Sequence, residues 1–250
     1  MTSDLYPELR DRLPPLSPPR RVLTVGAHPD DAEFGAGATL ARWAGDGCDV
    51  TMVIATDGSK GSWDPRSSPE EIAEVRRGEQ RRAADILGAG TVVHLAGVDG
   101  ELEYSAALRE ELARIVRVHR PDIVLTHDPW ERYQLHPDHR IAGFAAVDAV
   151  VAAREPLFYP HQGVESHRPG AVLLWSADEP DHAESTAAEF IERKIEALLC
   201  HSSQSMTTMG DAARSDEHRR AFAERIERRL ADAGRRLGTG PVEIFKRLTP

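Results

Sequence analysis

Short apolar runs alternate with longer stretches of helical spacing between residues 22 and 200, and each run stops abruptly in polar or glycine-containing sequence. Residues 22–25, 49–55, 91–95, 122–126 and 171–175 are apolar and β-branched with little polar alternation, the pattern of parallel strands covered on both faces. Between them, apolar positions every three or four residues predict helices over 36–44, 70–87, 105–119, 137–153 and 185–200, and a charged surface helix follows over 215–236. Strand and helix in turn predict an α/β, Rossmann-like three-layer fold with a mostly parallel sheet. No period of 20 to 50 residues repeats and no linker divides the chain, so residues 1–250 read as one domain, opening on an extended, proline-stiffened arm over 1–20.

The first strand runs into His28-Pro29-Asp30-Asp31, and Pro29 forces the chain out of the sheet there, at a strand's carboxyl end, where open α/β sheets bind ligands. Three residues apart, His28 and Asp31 can face the same way while Asp30 points elsewhere. An imidazole and a carboxylate are two thirds of a catalytic zinc site, which takes three protein ligands and leaves a position for water; the spare carboxylate, Asp30, is then free to act as a base. The third ligand is expected from the second His-Pro-Asp of the chain, His136-Pro137-Asp138-His139, which follows the fourth strand and opens a helix at Pro137. Two ordinary turns are the bland alternative, but both following apolar strands makes coincidence the weaker reading.

Composition narrows the classes without choosing among them. A net charge of −10 argues against a nucleic-acid partner, because phosphate binding needs a basic face. No segment has the apolar length of a signal peptide or a membrane span, and the two cysteines, Cys48 and Cys200, are far apart, so a reducing, cytoplasmic setting is expected. A glycine- and serine-containing loop over 59–69, tipped by Trp63, reads as a substrate lid. Arg76, Arg77, Arg81 and Arg82 read as a solvated helix face paired with Glu74 and Glu79. Gly35 and Gly37 hint at a dinucleotide fingerprint, but the acidic loop before them would repel a pyrophosphate. His94 and His119 read as structural, and His127 as a spare histidine.

Ala27-His-Pro-Asp-Asp-Ala-Glu33, Thr56-Asp-Gly58, Arg76 with Glu79, Leu87-Gly88, Pro121-Asp122, His136-Pro-Asp-His139 and His201 with Ser203-Gln204 together resemble the LmbE-like or PIG-L-like zinc-dependent N-acetylglucosaminyl deacetylases, in order and spacing over most of residues 22–204. The resemblance implies zinc, or another divalent metal such as ferrous iron, held by His28, Asp31 and His139. It implies Asp30 as general base and His136 as general acid oriented by Asp138. Tyr133 would polarise the acyl oxygen, and Arg76 and Asp99 would bind the sugar.

The implied activity is hydrolysis of an N-acetyl group on a small amino-sugar substrate, with no membrane partner and with a homo-oligomer open. An amidase of thiol–sugar conjugates or a deacetylase of glycopeptide-type natural products would use the same chemistry. From other classes, a nucleotide-binding module would need a glycine-rich phosphate loop, and a two-metal phosphoesterase would need further ligands, for which His127 and Asp128 are the obvious positions.

Overall fold

The computed structural model describes residues 16–250. Strands β1 (Arg21–Gly26), β2 (Asp49–Thr56), β3 (Thr91–Gly97), β4 (Ile123–His127) and β5 (Ala171–Trp175) run parallel in the order β3-β2-β1-β4-β5. Two more, β6 (His182–Ser185) and β7 (Val242–Leu248), extend the sheet antiparallel, β7 lying between β5 and β6. The sequence pattern does not predict these two. In β6 only Ala183 is plainly apolar, and Glu243, Lys246 and Arg247 break the run in β7.

Helices α1 (Asp31–Gly45), α2 (Pro69–Leu87) and α5 (Ala188–Leu199) cover one face of the sheet, and α3 (Ala106–His119) and α4 (Pro137–Arg154) the other. Alternation within the strands feeds both cores. Val22, Met52, Leu125 and Leu173 pack with Leu40, Trp43 and Leu87, whereas Leu23, Val53, Val124 and Leu174 pack with Leu112, Val116 and Ala149. Each fully buried leucine or valine contributes about 1.5–3 kcal/mol, so two-sided burial is what holds the parallel strands. Helix α6 (Asp216–Arg236) lies outside α5, sharing with it a third cluster around Phe222, Ile226 and Leu198.

Two expectations about α1 and α5 are corrected. Residues 31–35 are not a loop but the first turns of α1, because Asp30 takes a left-handed conformation (φ 98°) that turns the chain straight from β1 into the helix. Asp31 and Glu33 then sit in the first turn, where unpaired amides favour acidic side chains. Helix α5 starts at Ala188, since residue 185 belongs to β6.

Strand β1 stands between β2 and β4, so the order of connection reverses at the β1–β4 boundary, and the crevice beyond their carboxyl ends is where this architecture binds ligands. Helix α4 comes unusually close to it: a Cβ on Gly143 would lie 2.7 Å from the His127 carbonyl oxygen. Only glycine allows that approach, which brings the start of α4 beside the end of β4. Of the expected N-terminal arm, residues 1–15 lie outside the described residues; Leu16 packs on the first core, and the amides of Arg20 and Arg21 donate to Asp122 Oδ2. Cys48 and Cys200 are free thiols, and no helix of the described residues is long and apolar enough to cross a membrane.

Candidate metal centre and active site

His28, Asp30, Asp31, Arg76, Asp99, His136 and His139 line one cavity of about 1120 Å³ at the β1–β4 crevice. Strand β1 and the first turn of α1 deliver the first three, and the first turn of α4 delivers His136, its N-cap, and His139. The metal-type donors converge. Asp31 lies with Oδ2 3.6 Å from His28 Nδ1 and Oδ1 3.4 Å from His139 Nε2. Tetrahedral ligands at about 2.1 Å from an ion stand roughly 3.4 Å apart, so each of these two pairs has metal-ligand spacing, and among the described residues the sets whose donor atoms all lie within 4.8 Å of one another include His28, His136 and His139, and Asp31, His127 and His139.

Hydrogen bonds on the far side of His28 and Asp31 decide which atom each offers to the cavity. His28 Nε2 lies 3.1 Å from Asp138 Oδ2 and 3.2 Å from Asp99 Oδ1, which leaves Nδ1 to face Asp31. A carboxylate behind a ligating imidazole is the usual support in metal sites. Burial opposes a charge on His28, but hydrogen bonds to Asp138, Asp31 and Asp99 outweigh it and hold the imidazole well above its ordinary value. Burial likewise opposes ionisation of Asp31, and His127 and His139 overcome it, holding the carboxyl well below the usual range.

His127, to which the sequence gives no role, is placed by a donor-only partner. The indole Nε1–H of Trp175 donates to His127 Nδ1 at 3.0 Å, and His127 Nε2 lies 3.0 Å from Asp31 Oδ2. Indole nitrogen cannot accept, so Nδ1 must, and the neutral ring carries its proton on Nε2 and donates it to Asp31. Burial above all lowers the His127 pKa, which keeps that ring neutral. Asp31 Oδ2 also accepts the His28 amide at 2.7 Å, so Oδ1 is the oxygen left for a cation. The rings of His127, His139 and His136 form a stack, with centroids 4.2 and 4.9 Å apart. The position of His127 as the last residue of β4 was the available signal, and Trp175 ends β5 in the same way.

Asp30 is 5% exposed, and its Oδ2 has no hydrogen-bond partner. Its backbone amide donates to Gln80 Oε1 at 3.1 Å, which holds the left-handed turn, and Arg76 Nη2 lies 3.5 Å from Oδ2. Burial raises the carboxyl from 3.8 to about 6, against the pull of Arg76 and His201 and with further push from Asp31 and Glu33. Left-handed backbone, burial and an unfilled acceptor together set Asp30 apart from an ordinary exposed turn residue.

The solvated-face reading of α2 fails at Arg76 and Glu79. Arg76 is 3% exposed and donates to the carbonyls of Pro29 and Gly58, while Glu79 accepts from Ser202 Oγ and from the amide and hydroxyl of Ser203. Both lie on the buried stripe that runs through Gln80, Ala83, Ala84 and Leu87. Polar residues at core-facing positions were the missed signal. Arg81 does remain a helix-surface residue, paired with Asp85 at 2.7 Å instead of with Glu74 or Glu79. The same network places His201 under Asp30, with Nε2 3.6 Å from Glu33 Oε1, and ties Gln204 Nε2 to the carbonyl of Gly61 in the 59–69 loop.

Three placements differ from what the resemblance implies. Asp138 is fully buried and bonds His28, Gly100 and Leu102, so its carboxylate supports a metal-type ligand; only its amide reaches His136, donating to Nδ1 at 3.3 Å. His136 therefore presents Nε2–H to the cavity, 4.0 Å from Asp99 Oδ1, and burial with the nearby His28 and His139 lowers its pKa. Tyr133 is 86% exposed, in a left-handed conformation (φ 65°), and does not line the cavity, whereas Glu131 and Gln134 on either side of it do. Of the two extra positions named for a second metal, His127 falls in a metal-type group with Asp31 and His139, so it belongs to the same centre and not to a separate one, and Asp128 Oδ1 accepts the Trp130 amide at 2.9 Å. Gly35 and Gly37 are not a phosphate loop but helix positions against the Trp175 ring and Lys194.

Residues 23–150 match the family model described as PIG-L, GlcNAc-PI de-N-acetylase. The chain is 36% identical over 193 residues to the diacetylchitobiose deacetylase of Thermococcus kodakarensis, across 76% of this chain and 72% of that one. It is 28% identical over 206 residues to a probable N-acetyl-alpha-D-glucosaminyl L-malate deacetylase 2 of Bacillus anthracis, across 79% and 87% of the two chains. The structure of N,N'-diacetylchitobiose deacetylase from Pyrococcus horikoshii, complexed with its inhibitor MPG, is similar with a TM-score of 0.82 and 29% identity, across 92% of this chain and 84% of that one.

Proposed function

Because the chain belongs to the PIG-L family of de-N-acetylases, we propose that it is a metal-dependent hydrolase that removes the N-acetyl group of an amino sugar. The observation that carries this reading is the gathering of His28, Asp31, His136 and His139 in groups with metal-ligand spacing, with the buried Asp30 carboxylate, whose Oδ2 accepts no hydrogen bond, in the same cavity. His28, Asp31 and His139 would hold a divalent cation, zinc or alternatively ferrous iron, which would supply Lewis acidity at this site.

The chain's own groups do the rest. Asp30, raised to about 6, is ionised near neutrality yet far more basic than an ordinary carboxylate, so it takes the proton from the attacking water. His136 is fixed as the Nε2–H tautomer by the Asp138 amide and addresses the leaving nitrogen. Its resting form is neutral, and the negative charge that develops on the acyl oxygen favours its protonation, which is when it acts as an acid. Arg76 lines the cavity and steadies Asp30, and Asp99 braces His28; both face the volume a sugar would fill. Tyr133 would act only after the 128–135 segment turned it inward.

The test is an amine-release assay on N-acetylglucosamine, N,N'-diacetylchitobiose and inositol-linked N-acetylglucosamine, with and without a chelator. Chelator-sensitive release of acetate and free amine is expected; no release from any N-acetylated sugar by zinc- or iron-loaded protein would overturn the reading.

A further inference from the structure

An ion pair enters helix α1 from the side. Lys194 of α5 and Glu243 of β7 are each 3% exposed and meet at 2.5 Å between Nζ and Oε1. Both reach the backbone in the interior of the helix. Lys194 Nζ donates to the Phe34 carbonyl at 2.8 Å, and the amides of Ala38 and Thr39 donate to Glu243 Oε1 and Oε2 at 3.2 and 2.7 Å. In a regular α-helix those two amides point at the carbonyls of Phe34 and Gly35, so the pair engages both sides of the ladder at one level.

The signs suit a joint between two helical segments. The cation sits at the carbonyl end of the turn that begins at Asp31, and the anion sits at the amide end of the turns from Ala38 onward, which is what each segment would favour as a separate helix. Gly35 and Gly37 lie at the same level. A Cβ on Gly37 would stand 2.9 Å from Lys194 Cγ, so glycine is what lets the lysine stem pass. A side chain inserted into the ladder is a place where a helix changes direction.

One residue connects this joint to the metal-type centre. Phe34, whose carbonyl takes Lys194, donates its amide to the Asp30 carbonyl at 3.0 Å, and Asp31 is the next residue. The way the first turn is set therefore decides where Asp31 presents its carboxylate. Stability alone is a weak reason for the pair, because apolar side chains of similar volume often replace a buried ion pair without loss. Both members also lie outside residues 23–150, the span the family model matches, whereas the turn they hold lies inside it.

We propose that Lys194 and Glu243 are positioning residues: by tying α5 and β7 to the interior of α1 they fix the turn that carries Asp31, and with it the affinity of the centre for its cation. This rests on the metal-dependent hydrolase reading above and adds two residues to it.

The test uses Lys194→Met, which fills the volume without the donor, Glu243→Gln, which cannot accept both amides, and Gly37→Ala, which keeps both charges but presses on the lysine stem. Leu112→Ala, which opens the core on the other face of the sheet, is the control for lost stability. Thermal unfolding, a competitive zinc titration at a temperature where every variant is folded, and kcat and KM on N,N'-diacetylchitobiose are measured. The first three variants should bind zinc about tenfold or more weakly, with kcat lowered and KM nearly unchanged. Leu112→Ala should lose unfolding temperature and keep its zinc affinity. If neither charge variant folds, Gly37→Ala carries the same comparison. Wild-type zinc affinity in the folded variants, or a loss no larger than that of Leu112→Ala, would overturn the positioning role and leave the hydrolase standing; wild-type protein that bound no zinc would overturn both.

Discussion

The indole of Trp175 donates to Nδ1 of His127 across the ends of β5 and β4 at 3.0 Å, and through His127 it joins the His28 amide in occupying Oδ2 of Asp31, leaving Oδ1 for a cation. Trp175→Phe keeps the ring against Gly35 and removes the donor. The buried His127 nitrogen would then lack a partner, which costs about 1–3 kcal/mol, and affinity for zinc should fall on the order of 10–100-fold as Asp31 loses its fixed orientation. Urea unfolding and a competitive zinc titration measure the two effects; unchanged zinc affinity would show that the relay plays no part in holding the ion.

Replacing the ligands themselves should be more severe. His28→Ala and Asp31→Ala are expected to abolish stoichiometric zinc, and His139→Ala to weaken it strongly, with the far-UV spectrum retained because none of the three belongs to either apolar core. Full metal content by elemental analysis in all three variants would refute the ligand set.

Asp30→Asn separates base from ligand. Zinc content and substrate binding should persist while kcat falls on the order of a hundredfold or more, since the amide cannot take the water's proton. A turn residue would tolerate the change, asparagine being at ease in left-handed backbone. Near wild-type kcat would exclude Asp30 as the base.

At Gly35 the usual helix rule should reverse. Exchange of a helical glycine for alanine ordinarily stabilises by about 0.8–1.0 kcal/mol, but here the new Cβ would stand 2.5 Å from the Trp175 ring. Gly35→Ala should therefore lower the unfolding temperature and, by displacing Trp175, lower zinc affinity as well. A rise in stability with unchanged zinc affinity would contradict that placement.

Acid sensitivity has a source remote from the cavity. Burial would raise the Glu184 carboxyl, but hydrogen bonds from His182 and Arg42 prevail and hold it below 4.5. Its contribution to stability is thus complete above about pH 4.5 and is lost as pH falls through the lower folded value. Glu184→Gln should destabilise at pH 7 and show a smaller further loss between pH 5 and pH 3 than wild type, as read from urea midpoints; parallel pH curves would count against it.

The catalytic end of the molecule was legible because its residues are clustered in sequence and each cluster follows an apolar strand. His28 to Asp31 and His136 to His139 needed only adjacency of β1 and β4 to meet. What supports them was not legible. His127, Trp175, Gln80 and Glu33 come from four separate elements, and each looks like an ordinary strand or helix residue until burial shows a polar atom with one possible partner. Asp138 holds His136 through its amide, as proximity along the chain suggests, but that its carboxylate crosses to His28 from another strand end was not legible for the same reason. Periodicity found the five parallel strands, although β3 is half-exposed at one edge of the sheet, and missed β6 and β7, whose mixed character reflects the half-exposed positions of the other edge strand and its neighbour.

The place of β7 in the sheet also sets the order in which the protein can be completed during synthesis. Strand β5 is apolar and fully buried, yet one of its edges stays open until β7 has been made, because the strand that follows it along the chain, β6, pairs with β7 and not with β5. Throughout the intervening α5 and α6, a nascent molecule carries an unpaired Ala171–Trp175 edge, the kind of surface on which chains join one another. Aggregation during expression should thus be governed by how quickly β7 docks, and a chain cut just before Val242 would lose two strands rather than one.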